Sequence, residues 1–309
     1  MLKRIFFIAV SLMLFGFNLA IAKVGVMSTS QVASLIGKKN VVIVDARDAK
    51  AYLQSHLPDA ISLPSTGPLF AMKFSNVKAR SIASNQQIQQ ALSKLGIMPN
   101  DTAIVYAGGK KGAFFLTNAT RVMLALHWAG VENVYYMNGG FEKWRDEKRP
   151  IQHNVFKLPK SNFVIEHNNP NTYCFSNFVV WAVNNENKIQ IVDARPLNQY
   201  TGELTSDKRL SRHGHIKGAI DLPASEYMKK VNNYYVLKTP SEIEAIFKKV
   251  GVNLNKPIIS YCNTARLGSS LWFVANALFN DKLVWVYNGS MVSASRNPNI
   301  PIVKGSNPF

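Results

Sequence analysis

The stretch IVDAR at residues 43–47 recurs as IVDAR at residues 191–195, and this repetition decides how the chain is organised. A second matching pair follows, HLPDAISLP at residues 56–64 and HIKGAIDLP at residues 215–223. Two more pairs keep the same order. AIVYA at residues 103–107 matches IISYC at residues 258–262, and VYYMNGG at residues 134–140 matches VWVYNGS at residues 284–290. Anchors that repeat in order over most of the chain indicate duplication of a whole domain and not a short solenoid repeat.

Each copy alternates short apolar runs with helical patterns. In the second copy, residues 190–194 and 257–261 predict strands, and SEIE at residues 241–244 predicts a capping box for a helix that ends near Gly251. Such alternation is typical of an α/β fold with a mainly parallel sheet covered by helices on both faces. The sequence therefore predicts two domains of this class. They span residues 23–150 and 173–309, with a polar, proline-containing linker over residues 151–172.

The first 22 residues form a separate segment. Lys3 and Arg4 precede an almost unbroken apolar run, and Ala20-Ile21-Ala22 places small residues at the positions that define a cleavage site. These features predict a secretory signal peptide over residues 1–22. The length of the apolar run also leaves an uncleaved membrane anchor open as an alternative. We expect an exported protein, periplasmic in a Gram-negative bacterium, with no stable membrane insertion after signal cleavage.

Charge and cysteine content narrow the function classes. The 309-residue chain carries a net charge of +18, and loss of Lys3 and Arg4 would leave +16. This surplus attracts anions, but the basic residues are scattered and no nucleic-acid-binding module is present, so no nucleic-acid partner is predicted. The cysteines are Cys174 and Cys262, which form neither a disulfide framework nor a metal-ligand spacing. We therefore predict two separate thiols and no metal.

Cys262 stands at a position that favours chemistry. It closes the strand at residues 257–261 and opens the loop NTARLG, residues 263–268, which leads into an amphipathic stretch at residues 269–278. Loop N–H groups and the positive end of the helix dipole stabilise an anion at the sulfur, which makes the cysteine a nucleophile. Ligands of parallel sheets also bind at the carboxyl ends of the strands. Cys174, in contrast, precedes an apolar-periodic run and is predicted to occupy a helical core position.

Taken together, these motifs resemble the tandem rhodaneses, the two-domain thiosulfate or 3-mercaptopyruvate sulfurtransferase family. The resemblance rests on VDAR, GHIKGA, YCNT and YNGS in the second half, and on VDAR and NGGFEKW in the first. It implies that Cys262 is the catalytic residue and that the first domain, with Ala107 at the matching position, is inactive. It also implies a persulfide on Cys262, a small anionic sulfur donor and a thiol or cyanide acceptor, without a cofactor.

The same resemblance implies the substrate-binding residues. Arg195 is one, and the others form the loop whose N–H groups would surround the persulfide, namely Asn263, Thr264, Ala265, Arg266, Leu267 and Gly268. A scaffold role for Arg195 stays open, because Arg47 occupies the same place in the domain that lacks a nucleophile.

Three departures from the family pattern bear on donor binding. Ala265 stands where the family often has glycine, so the backbone there must avoid a positive φ or accept strain. Gln199 replaces an arginine, and Met291-Val292 replaces a tryptophan. With Arg266 as the one loop cation, the sequence predicts weak binding of anionic donors.

Two other functions are compatible with parts of this pattern. A cysteine-dependent phosphatase shares the strand–Cys–loop–helix arrangement but needs an arginine six residues after the cysteine, where this chain has Gly268. A non-enzymatic rhodanese-like binding protein of the periplasm would use both domains as recognition surfaces. Detection of a persulfide on Cys262 would separate an enzyme from such a binding protein.

Overall fold

The computed structural model describes residues 23–70, 72–74, 77–109, 112–280 and 283–309, so the predicted signal peptide lies outside the described residues. In the first half the strands are β1 Lys23–Met27, β2 Val41–Asp45, β3 Ala60–Ser62, β4 Met72–Phe74, β5 Val77–Ser81, β6 Thr102–Tyr106 and β7 Asn133–Met137. The helices are α1 Thr29–Leu35, α2 Ala49–Gln54, α3 Asn85–Leu95, α4 Gly112–Trp128 and α5 Gly140–Asp146.

The second half repeats this series. Its strands are β8 Tyr173–Cys174, β9 Gln190–Asp193, β10 His215–Ile216, β11 Ala219–Asp221, β12 Met228–Val231, β13 Tyr234–Leu237, β14 Ile258–Tyr261, β15 Val284–Tyr287 and β16 Ile302–Val303. Its helices are α6 Ser176–Ala182, α7 Leu197–Tyr200, α8 Pro240–Val250, α9 Ser269–Leu278 and α10 Ser290–Ala294. Within the described ranges, no helix combines the length and the apolar character needed to cross a membrane.

The two large sheets have one topology. The first runs β1-β7-β6-β2-β3 and the second β8-β15-β14-β9-β11, and neighbouring strands in both are parallel. Each strand of one sheet therefore has a counterpart in the other. The prediction of two α/β domains with parallel sheets is confirmed. Between α5 and β8, the chain makes backbone hydrogen bonds to the first domain, for example from Ser161 to Ser93 and from Asn169 to Trp128.

The capping box of helix α8 lies two residues before the predicted one. Thr239 is the N-cap: its hydroxyl accepts a bond from the Glu242 N–H at 3.3 Å, and the Glu242 carboxylate accepts one from the Thr239 N–H at 2.6 Å. Pro240 takes the first helical position, where its fixed φ suits the helix and its missing N–H costs nothing. The predicted end is confirmed, since Gly251 caps the helix at φ 84°.

The prediction that Cys174 occupies a helical position is wrong. Cys174 lies in the edge strand β8, paired with Tyr287 of β15, and helix α6 starts only at Ser176. A strand of two residues is too short to show an alternating pattern, so the helical period of the residues that follow is the stronger signal in the sequence. The side chain is nevertheless buried, and burial raises the pKa of the Cys174 thiol, which disfavours a reactive thiolate. Cys174 and Cys262 are both free thiols.

The two domains share one buried cluster. Apolar side chains of α4 in the first domain and α9 in the second belong to it, together with residues from both sheets. Tyr136 and Phe273 meet edge to face at 5.6 Å, and the hydroxyls of Thr120 and Ser269 lie 2.7 Å apart across the interface. A close-packed core has little freedom to slide. The packing therefore fixes how each domain faces the other.

Each domain also extends a hairpin onto the other. The β4–β5 hairpin of the first domain leads to Ile82, whose N–H donates to the Asn288 side-chain oxygen at 2.9 Å. The β12–β13 hairpin of the second domain ends at Leu237, whose N–H donates to the Asn138 side-chain oxygen at the same distance. Asn138 and Asn288 are matching residues of the repeat. The exchange is therefore reciprocal, and each hairpin approaches the other domain's loop at the sheet end.

We expect Asn138→Ala to lower the free energy of unfolding by about 1–2 kcal/mol, because it leaves the Leu237 N–H without its acceptor. Urea unfolding followed by circular dichroism measures the change. Asn154→Ala, at an exposed side chain, is the control and should be near neutral. Equal stability of the two variants would contradict the assigned role of Asn138.

Candidate functional site

Cys262 lies at the carboxyl end of β14, directly before the loop of residues 263–268 and helix α9. The predicted strand–Cys–loop–helix arrangement is therefore present. The Thr264 N–H points at the sulfur, with 3.4 Å between N and Sγ. The residue is only 2% exposed, yet it lines a cavity of about 410 Å³. A thiol in this position can meet a small ligand while bulk water is largely kept away.

Ser290 holds the loop in shape. Its hydroxyl oxygen accepts bonds from the Ala265 N–H at 2.9 Å and the Cys262 N–H at 3.3 Å, and its O–H donates to the Tyr287 carbonyl at 2.8 Å. Ser290 adopts φ 45°, a left-handed conformation, whereas the first domain has Gly140 at the matching position with φ 59°. A non-glycine residue pays about 1–2 kcal/mol for this conformation. The three hydrogen bonds of the serine hydroxyl offset that cost.

The backbone at Ala265 accepts strain. Its φ is 62°, so the alanine adopts the left-handed conformation that a glycine would adopt more easily. Because its N–H bonds to Ser290, Ala265 shapes the loop through its backbone. The Met291 N–H donates to the Cys262 carbonyl at 2.9 Å and fixes the other side of the turn. Binding of the donor by Ala265 itself stays a prediction.

Arg195 lies behind the loop and not in the cavity wall. It is 1% exposed, pairs with Asp193 at 2.6 Å, and donates to the Gly214 carbonyl. Burial acts to lower the pKa of Arg195, but the Asp193 carboxylate outweighs it and the pKa is raised. Arg47 pairs with Asp45 in the same way in the first domain. This placement favours the scaffold role, while direct substrate binding by Arg195 stays a prediction.

Asn263 connects this scaffold to the loop. Its side-chain oxygen accepts a bond from Arg195 at 3.3 Å, and its side-chain nitrogen donates to Gln199 at 2.9 Å and to Asp207 at 3.0 Å. Gln199, which stands where an arginine was expected, therefore orients the loop through an uncharged contact. The His215 ring stacks on Tyr200 at 3.7 Å and its Nδ1 meets the Tyr200 carbonyl, so this histidine joins strand β10 to the end of α7.

Comparison with known families identifies this architecture. The family described as rhodanese-like domain matches residues 28–147 and 179–297. The chain belongs to the rhodanese-like domain family. Both copies match, so the tandem arrangement expected from the repeat is confirmed.

Among the described residues, no group of three or more His, Cys, Asp or Glu side chains is placed to hold a metal ion.

Individual relatives agree with this assignment. The sulfur carrier protein TtuD of Thermus thermophilus is 28% identical over 87% of this chain and 92% of its own length. The 3-mercaptopyruvate sulfurtransferase of Escherichia coli is 28% identical over 84% of this chain and 86% of its own length. Among solved structures, the anaerobic ergothioneine biosynthesis enzyme of Chlorobium limicola has a TM-score of 0.77 at 22% identity, over 91% of this chain and 70% of that one. The Escherichia coli relative is named as a sulfurtransferase and supports the expectation of a transferase enzyme. The likeness to the Chlorobium limicola structure, at 22% identity, shows the fold alone.

Four guanidinium groups line the rhodanese cavity at Cys262. They belong to Arg80, Arg121, Arg209 and Arg266. Arg266 is the one cation of the loop, as the sequence shows, and the other three come from outside it. Arg80 and Arg121 come from the first domain and reach the cavity only through the interface, so no linear motif marked them. Arg209 follows α7 in the charged run DKR, and this run was the one available signal for it.

The residues that line the cavity include more cationic side chains than carboxylates. Arg209 binds Asp207 at 2.6 Å, and this contact lowers the pKa of Asp207 and raises that of Arg209. Arg266 lies over the Phe114 ring at 4.4 Å. Burial lowers the pKa of Arg266, while the Cys262 sulfur acts in the opposite direction. The cavity therefore keeps an excess of positive charge next to the sulfur.

The first rhodanese domain replaces the sulfur with a carboxylate. At its loop, where Ala107 matches Cys262, the Gly109 N–H donates to the Glu142 side chain at 2.8 Å. Gly109 matches Thr264, whose N–H points at the sulfur in the second domain. Burial raises the pKa of Glu142, and the Gly109 N–H opposes that rise. The Glu142 side chain thus accepts the loop N–H that corresponds to the one facing the Cys262 sulfur in the second domain.

We expect Ser290→Ala to lower the free energy of unfolding by about 2–3 kcal/mol, since it leaves buried N–H groups of the loop without an acceptor. Sulfur-transfer turnover should fall with it, because the loop loses its shape. Ser293→Ala, on the same helix with its hydroxyl toward Ser176, is the matched control and should retain turnover. Unfolding curves and turnover number measure both effects. A Ser290→Ala protein with parental turnover would show that the Ser290 hydroxyl does not hold the loop in shape.

Proposed function

We propose that this protein is a sulfurtransferase that moves sulfane sulfur from thiosulfate, or from 3-mercaptopyruvate, to a thiol or cyanide through a persulfide on Cys262. The observation that carries the proposal is the position of Sγ, which receives the Thr264 N–H inside a small cavity lined by arginines. Cations and amide donors around one sulfur stabilise a thiolate, and the same groups suit an anionic donor.

In the first half-reaction the Cys262 thiolate attacks the outer sulfur of thiosulfate. A bond forms between Sγ and that sulfur, while the bond to the sulfonate sulfur breaks and its electron pair leaves with sulfite. The enzyme then carries a persulfide anion, and no proton has to move. The guanidinium groups of the cavity stabilise both the donor and the departing sulfite.

In the second half-reaction the acceptor takes the outer sulfur. The cyanide carbon, or a thiolate sulfur, attacks it, the bond to Sγ breaks, and the electron pair returns to Cys262 as thiolate. Thr264, next to the persulfide, offers its N–H to the anionic sulfur in both states of the cycle. The products are thiocyanate or a new persulfide on the acceptor.

The phosphatase alternative has less support. Phosphate binding in that class needs an arginine at residue 268, where the chain has a glycine and a side chain would be crowded. A Cβ added to Gly268 would lie 3.1 Å from the backbone of Tyr261. The loop is therefore built around a glycine at this position. A non-enzymatic binding role would leave Cys262 free of bound sulfur, which the following experiment detects.

We expect Cys262→Ser to abolish sulfur transfer from thiosulfate to cyanide, because a serine hydroxyl is not ionised by the loop and cannot store sulfane sulfur. Intact mass after thiosulfate treatment should show the parent protein heavier by one sulfur atom, which cyanide removes, and no such gain in the variant. The control Cys174→Ala removes the other thiol and should keep both signals. Transfer by Cys262→Ser at the parental rate would overturn the proposal.

We further propose that the protein is exported and that its mature form begins at Lys23. The support is the signal-like segment over residues 1–22, which ends in Ala20-Ile21-Ala22. N-terminal sequencing of protein from a periplasmic extract should give Lys23 as the first residue. Recovery of membrane-bound protein that retains Met1 would refute cleavage at this site.

A further inference from the structure

Arg121 is an unusual arginine in the wall of the Cys262 cavity. It belongs to α4 of the first domain and is 3% exposed. Its guanidinium lies over the Phe70 ring at 4.2 Å, and one of its terminal nitrogens donates to the Arg80 carbonyl. Its Nε is buried and has no hydrogen-bond partner among the described residues. Arg121 thus keeps an unused donor group and lines the same cavity as Cys262.

Other buried arginines of this chain have a carboxylate partner. Arg47 is paired with Asp45 and Arg195 with Asp193. Arg121 forms no ion pair with an acidic residue of the part of the chain that the structure describes. A buried charge without a partner is costly to the folded state. Among the arginines that the structure describes as fully buried, Arg121 thus lacks a carboxylate partner, and it lies in the wall of the cavity that Cys262 also lines.

The charge of Arg121 persists at neutral pH. Burial lowers its pKa to about 10, and the Cys262 sulfur opposes this decrease. Asp207 is the one carboxylate among the residues that line the cavity, and it is already bound to Arg209. The thiolate of Cys262 offsets one more charge. A positive surplus remains, and it can be neutralised only by a ligand that brings negative charge of its own.

We propose that Arg121 binds the non-reacting, anionic end of the sulfur donor and that this first-domain residue determines specificity for compact oxyanion donors with two negative charges, of the thiosulfate class. The inference rests on the proposed sulfurtransferase function. It also gives the first domain a role: without a nucleophile, it supplies cations to the other domain's reaction. Arg80, carried there by the β4–β5 hairpin, places a second first-domain cation at the same cavity.

Donor charge provides the test. Arg121→Met should raise KM for thiosulfate by about 10- to 100-fold, the effect of losing one charged hydrogen bond, with little change in kcat. KM for a neutral donor, a dialkyl trisulfide, should stay unchanged. Arg121→Lys should recover part of the loss. Arg145→Met removes the same charge from an exposed side chain of the first domain and is the matched control.

Binding without turnover separates this inference from the proposed function. Calorimetry of thiosulfate with Cys262→Ser should show binding that is lost when Arg121→Met is added and retained when Arg145→Met is added. The melting temperature of Arg121→Met should be equal to or above that of the parent, since an unpaired buried charge is removed. A purely structural arginine would instead lower stability and affect all donors equally.

The outcomes are distinct. If the parent enzyme is active and Arg121→Met leaves KM for thiosulfate unchanged, or raises KM for the neutral donor as much, the inference is wrong. The same holds if Arg121→Met or Arg121→Lys fails to fold, because the residue would then be part of the core. If the parent forms no persulfide but Cys262→Ser binds thiosulfate through Arg121, the anion site stands and the sulfurtransferase proposal falls.

Discussion

A backbone N–H in the loop that follows the central strand is paired with a side chain of its own domain, and both domains obey this constraint. In the second domain the Thr264 N–H points at the Cys262 sulfur. In the first, where Ala107 stands at the position of the cysteine, the Gly109 N–H points at the Glu142 side chain. The domain without a cysteine thus supplies another internal acceptor at the matching position.

The cavity at Cys262 is lined by residues of both domains. The shared core between α4 and α9 sets the two sheets in one fixed relation, and each hairpin donates a backbone hydrogen bond to the asparagine at the other domain's sheet end. For the Cys262 cavity the consequence is electrostatic, since the first domain contributes Arg80 and Arg121. Weak donor binding stays a prediction, and these two cations act against it. Cations absent from one loop are supplied across the interface.

Local strain supports the same site. Ala265 and Ser290 both adopt left-handed backbone conformations and are joined by a hydrogen bond of 2.9 Å. In the first domain the position of Ser290 is Gly140, which adopts its conformation without a penalty. In the second domain the cost is met because the side-chain hydroxyl holds the Cys262 turn, which a glycine could not do. Strain here is compensated by hydrogen bonds that a side-chain hydroxyl provides.

The duplication, the parallel α/β class, the strand–Cys–loop–helix arrangement and the end of α8 at Gly251 were all predictable from the amino-acid sequence. These features depend on hydrophobic period, caps and turns, which involve residues close together in the chain. The strand position of Cys174, the hydrogen bonds of the Ser290 hydroxyl and the guanidinium groups of Arg80 and Arg121 at the cavity emerge only from the folded chain. Each of these depends on packing between segments that are distant in sequence, and neither local pattern nor composition encodes which distant side chains a folded interface brings together.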